Sequence, residues 1–281
     1  MANLKTFGLL GSPVKHSLSP LMHNAAFKAL GISAEYKLFE IKPEDLSGFL
    51  SKLEEFSISG LNVTVPFKEV VMEFAKPGPG QDHLRQVGAV NTMVKMDGAW
   101  TGFNTDIPGF ERHLLENFNP KGKSCAVLGA GGAARAVVYV LARLGANRIS
   151  VFDIDRQKAE SVCFMARAVF PGFEIAHTKG IQELGLKDKD LLVNCTPVGM
   201  KISDPELVNK DNLHKNIFVY DLIYNPGETR LLNDAQDKGC RTANGLGMLL
   251  YQGVLSFQYF TGQNAPIEIM RKALNEGVRQ E

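Results

Sequence analysis

Cysteine is scarce and scattered in this chain. The 281 residues hold four, at Cys125, Cys163, Cys195 and Cys240, with no Cys-x-x-Cys pair. A zinc-dependent dehydrogenase needs clustered Cys and His ligands, and none cluster here. The closest histidines, His16 and His23, stand seven positions apart with no carboxylate between them. The thiols therefore read as reduced and mostly buried, and no metal site is expected. Long apolar runs are also missing, and none approaches the ~20 residues of a membrane helix. Neither sign of charge prevails, with a net charge of +1. No basic block is long enough to track a phosphate backbone, so a nucleic-acid partner is excluded. The opening Met1-Ala-Asn-Leu-Lys-Thr-Phe-Gly has no signal-peptide pattern, since the apolar run Phe7 to Leu10 is too short. A cytoplasmic protein is expected, long enough for two domains.

The most informative stretch is Ser124-Cys-Ala-Val-Leu-Gly-Ala-Gly-Gly-Ala-Ala-Arg135. An apolar run from Cys125 to Leu128 stops at Gly129. A helix is predicted from Gly132 to Leu144, and a second apolar run, Ile149 to Phe152, ends on Asp153. Strand, glycine turn, helix and strand make the first unit of a dinucleotide-binding fold. Gly129 permits the tight turn, and Gly131 lets the backbone approach a pyrophosphate. The helix N-terminus offers that anion free N–H groups and a partial positive charge. Ala134 takes the third fingerprint position. Asp153 lies 24 positions after Gly129, where an acid accepts bonds from the adenosine ribose hydroxyls.

Upstream, strands are predicted at Thr6 to Leu10, Tyr36 to Phe39, Leu61 to Val65 and Val90 to Met96. Helices are expected from Ser19 to Leu30, Pro43 to Leu53 and Phe67 to Phe74, and Trp100 to Phe103 reads as a hairpin return. Strands alternating with helices imply a mostly parallel sheet. Downstream, a helix from Arg156 to Val169 leads to strands near Phe173 to His177, Leu191 to Asn194 and Phe218 to Asp221. Two helices, Gly245 to Phe260 and Ile267 to Glu276, close the chain.

Polar clusters follow several of these strands. In His16-Ser-Leu-Ser-Pro20, Ser17 and Ser19 precede a helix; Ser19 reads equally as an N-cap or as part of a carboxylate clamp. In Asn62-Val-Thr-Val-Pro-Phe-Lys68, Asn62 and Thr64 alternate with apolar residues and so share a strand face. Lys68 falls in the first turn of the predicted helix, where a cation is electrostatically disfavoured and suited to proton transfer. Gly88-Ala-Val-Asn-Thr92 and Asn104-Thr-Asp106 present an amide, Asn91, and a carboxylate, Asp106; Asn-Thr-Asp is also an ordinary capping sequence.

In series, these motifs together with Gly129-Ala-Gly-Gly132 and Asn244-Gly-Leu-Gly-Met-Leu-Leu-Tyr-Gln252 resemble the ordered signature of the shikimate dehydrogenase family. The resemblance runs from Phe7 to Gln252. It implies an α/β chain of two domains separated by a cleft. Residues 1–105 with 247–281 would form a substrate-binding and catalytic domain with a mostly parallel sheet, and 106–246 a Rossmann-type dinucleotide-binding domain. The implied activity is the reversible NAD(P)-dependent reduction of 3-dehydroshikimate to shikimate, a step of aromatic amino-acid synthesis. By motif match, Lys68 and Asp106 are the catalytic pair, and Ser17 and Ser19 hold the substrate carboxylate. Thr64, Asn91, Asp106 and Gln252 bond the ring hydroxyls, with Asn62 and Tyr224 nearby. Cofactor contacts fall on Gly129, Ala130, Gly131, Gly132 and Ala133 at the turn, and on Asp153 and Arg156 after the second strand. Thr196, Leu222, Gly245 and Met248 complete them, Met248 against the nicotinamide. A monomer or homodimer is implied.

One position departs from the family pattern. Relatives that prefer NADP carry an Asn-Arg-Thr-type sequence where this chain reads Asp153-Ile-Asp155. An acid there repels a 2′-phosphate, which favours NAD, although Arg156 and Lys158 stand close by. An NAD-dependent quinate/shikimate dehydrogenase is the close alternative. The serine pair favours shikimate, because quinate-preferring relatives tend to carry a threonine in it. A metabolite-sensing regulator on the same fold would be expected to lack Lys68 or Asp106, and both are present. A folate-type dehydrogenase does not fit the Ser-Leu-Ser and Asn-Thr-Asp clusters.

Overall fold

A computed structural model describes residues 4–278; the first three residues of the amino-terminal reading and the last three of the chain lie outside the described residues. Two compact units form. One runs to Gly109 and resumes at Leu249, and the other is Phe110–Met248.

The first unit opens with β1 (Lys5–Gly11), α1 (Ser19–Ala29), β2 (Ala34–Glu40), α2 (Leu46–Ser51) and β3 (Ile58–Val63). After these come β4 (Lys76–Pro77), α3 (Leu84–Val87), β5 (Thr92–Met96), β6 (Ala99–Phe103) and α4 (Asp106–Asn117), in whose first turns the unit ends. The sheet order is β2-β1-β3-β5-β6-β4. β1 runs parallel to β2 and β3, whereas β5 is antiparallel to both β3 and β6. This sheet is thus more mixed than the alternation of elements predicts. The expected hairpin return joins β5 to β6 through Asp97-Gly98, where both residues take positive φ, 49° and 78°. That is the two-residue hairpin geometry whose twist matches the flanking strands. The reversal of β5 against β3 is instead a pairing of segments far apart in sequence. Leu10, Leu61, Val63, Phe67 and Met93 pack together in the core of this unit.

Two predicted helices shrink on folding. Pro43 to Leu53 becomes a 3-10 turn, Pro43–Asp45, followed by α2. Phe67 to Phe74 reduces to one 3-10 turn, Val70–Glu73. Burial accounts for the second: Phe67 and Val71 point into the core while Val70 stays exposed. Too few residues of the segment face inward to repay a longer helix.

In the second unit β7 (Ser124–Leu128), α5 (Gly132–Arg143), β8 (Arg148–Phe152), α6 (Arg156–Val169) and β9 (Glu174–His177) come first. β10 (Leu191–Asn194), β11 (Phe218–Asp221), α7 (Arg230–Asp237) and β12 (Arg241–Ala243) complete it. The order β12-β11-β10-β7-β8-β9 is parallel throughout. Counted within the unit, this is the doubly wound order 3-2-1-4-5-6, whose ligand crevice opens beyond the carboxyl ends of the two middle strands, here β7 and β10. Every residue of β7 is buried, as a strand covered on both faces requires. The chain returns to the first unit within α8 (Leu246–Thr261) and ends in α9 (Ile267–Val278). No helix among the described residues is long and apolar enough to cross a membrane.

Candidate active site

The first unit gathers polar side chains at the ends of β1, β3 and β6. After β3, a turn closed by the Phe67 N–H on the Thr64 carbonyl leads to Lys68. Lys68 therefore precedes a single 3-10 turn and does not open a helix, so the helix-dipole argument drawn from the sequence does not apply. Its setting comes instead from Asp106. The Lys68 Nζ lies 2.7 Å from Asp106 Oδ2, and the two side chains are 11 % and 6 % exposed. Asp106 is the first residue of α4, where the partial positive charge of a helix start favours a carboxylate. Asn104 caps that helix by accepting the Ile107 N–H at 3.1 Å. The Asn-Thr-Asp sequence thus both caps the helix and presents the carboxylate.

Asn91 completes the arrangement. Its Nδ2 donates to Asp106 Oδ1 at 2.9 Å and to Thr105 Oγ1 at 2.9 Å, and its Oδ1 accepts the Thr105 N–H at 2.7 Å. Asp106 thereby accepts one bond on each oxygen, from an ammonium and from an amide. Such a buried, doubly bonded ion pair is equipped to hold a proton donor beside a reacting oxygen.

The remaining predicted groups are found as follows. Ser17 donates its hydroxyl to Ser19 Oγ and accepts the Ser19 N–H, both at 3.2 Å. Ser19 is the first residue of α1, and Leu18 holds the N-cap position without a side-chain cap bond, so the first helix N–H goes to the Ser17 hydroxyl. The N-cap reading of Ser19 is thereby corrected: capping is not what occupies this hydroxyl. Asn62 lies on β3, and Thr64 is the residue after the strand's last, its N–H still on the Leu10 carbonyl of β1 at 2.8 Å. Both Asn62 amide hydrogens turn inward, to Ser256 Oγ at 2.7 Å and Thr92 Oγ1 at 2.9 Å, and its Oδ1 accepts from the Tyr36 hydroxyl at 2.8 Å. Thr64 is half-buried, with its methyl packed where a side chain on Gly11 would stand. Gln252 on α8 donates to the Leu249 carbonyl at 2.8 Å, and a side chain on Gly109 would collide with it. Tyr224 is half-buried and belongs to the second unit, not to the one that holds Lys68 and Asp106. Thr92, Thr105 and Ser256 are missed by the sequence reading. For Ser256 a signal exists: it follows Gln252 by four positions in a mostly apolar helix, which sets both on one face.

In the second unit the glycine turn leaves β7 at Gly129, with φ +95°, where a Cβ would meet the Cys195 carbonyl carbon at 3.0 Å. Gly131 is the N-cap of α5, no side chain caps that helix, and a Cβ there would meet nothing within 4 Å. Uncapped N–H groups of Gly132 and Ala133 beside an open glycine backbone fit a pyrophosphate. The Ala130 N–H donates to Asp153 Oδ2 at 2.7 Å, and the Asp155 N–H to Asp153 Oδ1 at 2.8 Å. A carboxylate offers about four lone-pair sites, so two remain for ribose hydroxyls. Ile154 is almost fully exposed, and Arg156 pairs with Glu160 on the surface of α6 at 2.8 Å. Thr196 follows β10, its N–H and hydroxyl both on Asn194 Oδ1, and Leu222 follows β11. Any side chain at Gly245 would strike the Leu222 carbonyl oxygen, so a glycine is required there. Met248 is buried at the start of α8. The four cysteines carry free thiols, three of them buried and Cys195 half-buried. No group of three or more His, Cys, Asp or Glu among the described residues is arranged to hold a metal ion.

The sequence and the fold both have close relatives. The family model described as the shikimate dehydrogenase substrate binding domain matches residues 9–93. That of the shikimate 5'-dehydrogenase C-terminal domain matches residues 245–274. A shikimate dehydrogenase (NADP+) of Methanopyrus kandleri is 45 % identical, covering 99 % of this chain and 97 % of its own length. The crystal structure of a shikimate dehydrogenase in complex with NADP+ superposes with a TM-score of 0.88 at 36 % identity, over 99 % of this chain and 98 % of the other. That of shikimate 5-dehydrogenase from Thermus thermophilus, in complex with NADP(H) and shikimate, gives 0.83 at 32 % identity, over 97 % and 99 %.

Proposed function

The chain belongs to the shikimate dehydrogenase family, and we propose that it catalyses the reversible NAD(P)-dependent reduction of 3-dehydroshikimate to shikimate. The buried pair of Lys68 and Asp106, at 2.7 Å, carries this reading. The substrate is a small ring with a carboxylate, hydroxyls and one ketone. When bound, the nicotinamide cofactor supplies the hydride to the ketone carbon. Lys68 then stabilises the charge that develops on the ketone oxygen and donates the proton that makes it a hydroxyl. Asp106 stays ionised, aims the ammonium and accepts from a ring hydroxyl. In the oxidative direction Lys68 takes the hydroxyl proton back. Ser17 and Ser19 donate to the substrate carboxylate, and Thr64, Asn91 and Gln252 bond the ring hydroxyls, with Asn62 and Tyr224 nearby.

The unit Phe110–Met248 binds the cofactor. The α5 N-terminus takes the pyrophosphate, and Asp153 accepts from the adenosine ribose. NADP+ is the cofactor named for the relatives, whereas the Asp153 charge favours NAD in this chain. Free thiols suit the cytoplasm, the reducing compartment in which we propose it acts. The test is initial-rate kinetics with shikimate and with quinate, each with NAD and NADP. Lys68→Ala should lower kcat about 10²–10⁴-fold and change KM far less. A variant that retains more than about a third of wild-type kcat at saturating shikimate removes Lys68 from the mechanism.

A further inference from the structure

Ser256 has no counterpart among the groups assigned above, yet it is fully buried behind them. Its hydroxyl joins four elements of the first unit. It donates to the Gln252 carbonyl one turn back on α8 at 2.9 Å, and it accepts the Asn62 Nδ2–H from β3 at 2.7 Å. Thr92 Oγ1 of β5 lies 3.0 Å away, and Thr105 Oγ1, just before α4, lies 3.2 Å away.

The hydrogens decide what this hub does. A hydroxyl has one proton and two lone pairs. The Ser256 proton is committed to Gln252 and one lone pair to Asn62, so its second lone pair accepts from a threonine. Thr105 Oγ1 already accepts the Asn91 amide at 2.9 Å and must send its own proton elsewhere. Asn91 Oδ1 lies at the same 3.2 Å as Ser256 Oγ, but it already accepts the Thr105 N–H at 2.7 Å and the Thr92 hydroxyl at 3.2 Å, which fills both its lone pairs. With the Thr92 proton sent there, Ser256 Oγ takes the Thr105 proton in preference to Gln252 Oε1, at 3.5 Å. From Asn91 the relay continues to Asp106 Oδ1 at 2.9 Å, and Asp106 Oδ2 holds Lys68 at 2.7 Å. We propose that Ser256 is a positioning residue for the reaction. It fixes the Thr105 lone pair that turns the Asn91 amide onto Asp106, and so keeps the Asp106 carboxylate facing Lys68.

Removing the hydroxyl strips Asn62 of its shortest acceptor and turns the Thr105 proton to Gln252 Oε1 at 3.5 Å or onto the already occupied Asn91 Oδ1. Groups that no water reaches cannot find substitutes, so the loss is felt at the next link. Neither Ser256 nor Thr105 needs to touch the substrate for this. The inference rests on the proposed reaction only in using its kcat as a readout.

The test is a cycle of Ser256→Ala, Thr105→Val and the double variant, with steady-state kinetics on shikimate. Each single variant should lose about tenfold in kcat, the worth of one hydrogen bond, with KM within about threefold. The double variant should lie within about threefold of the worse single one, because both cut the same relay. Wild-type kcat in Ser256→Ala, or losses that multiply to about a hundredfold, would overturn the proposal. Should Ser256→Ala fold poorly, Ser256→Cys keeps the volume with a weakly bonding thiol and should show the same loss in kcat. A second readout needs no turnover. The side-chain amide resonances of Asn62 and Asn91 in ¹⁵N NMR should both shift in Ser256→Ala. An Asn91 amide that does not move refutes the relay even if the wild-type protein proves inactive on shikimate, whereas that inactivity refutes only the proposed reaction.

Discussion

Replacing Asp106 with Asn tests the centre of the site most severely, because the two side chains have the same shape. The carboxylate accepts on both sides: Lys68 Nζ at 2.7 Å on Oδ2 and Asn91 Nδ2 at 2.9 Å on Oδ1. An amide has one acceptor and one donor end. Either orientation therefore sets an NH₂ group against another donor, the ammonium or the Asn91 amide. Asn91 cannot flip to relieve this, because its Oδ1 is held by the Thr105 N–H at 2.7 Å. The ammonium also loses its counter-charge in a site where its side chain is only 11 % exposed. Breaking a buried pair by removing one partner costs about 3–5 kcal/mol. The expected result is a fall of that size in unfolding free energy by urea titration, with kcat reduced about 10²–10⁴-fold. A double variant, Lys68→Met with Asp106→Leu, should recover most of the stability and none of the activity, since well-packed apolar groups replace a buried pair at little cost. If Asp106→Asn stays within about 1 kcal/mol of wild type and keeps a third of its kcat, the pair is neither buried nor catalytic in the sense argued.

Three further outcomes are expected. The double variant Ser17→Ala, Ser19→Ala should raise KM for shikimate with little change in kcat; an unchanged KM means these hydroxyls do not hold the carboxylate. A 2′-phosphate near Asp153 meets a charge that two backbone N–H groups fix in place, a repulsion of about 1–3 kcal/mol or ten- to hundredfold. Asp153→Asn with Ile154→Arg should therefore shift the ratio of kcat/KM values at least about tenfold towards NADP, and an unshifted ratio removes Asp153 from cofactor choice. His23 is fully buried and unpaired among the described residues, stacked on Tyr36 at 4.4 Å, and burial pushes its pKa down to about 3. The unfolded chain takes up the proton below about pH 6.5 and the folded one does not, so this stability is present above 6.5 and is lost as pH falls. Between pH 7.5 and 5 the loss is about 2 kcal/mol. Asp221 acts in the opposite direction, because burial raises its carboxyl to about 6 against bonds from Thr229, Ile223 and Asn194. The measurement is thus the difference between wild type and His23→Leu, and a difference independent of pH would show that the folded imidazole takes up its proton over the same range as the unfolded one.

Elements whose signals are local were legible before any fold was known. The glycine turn, the free α5 N-terminus, Asp153 at the end of β8 and α6 over Arg156–Val169 all stand where residue spacing puts them. Turns, caps and strand ends depend on neighbours a few positions away, which a single stretch of sequence contains. The helix expected from Phe67 to Phe74 failed because its length depended on what the core would cover, and the sheet in the first unit is mixed because β5 pairs antiparallel with β3, 30 positions apart at Asn62 and Thr92. Which polar groups remain free was settled only in three dimensions. Asn62 looked available on its strand, yet its amide is spent on Ser256, 194 positions away. Lys68 and Asp106 are 38 apart, and nothing local brings an ammonium within 2.7 Å of a carboxylate. A buried polar group must find its partner wherever the chain folds back, and that pairing, enforced by the cost of leaving it unmade, is not written in any one segment.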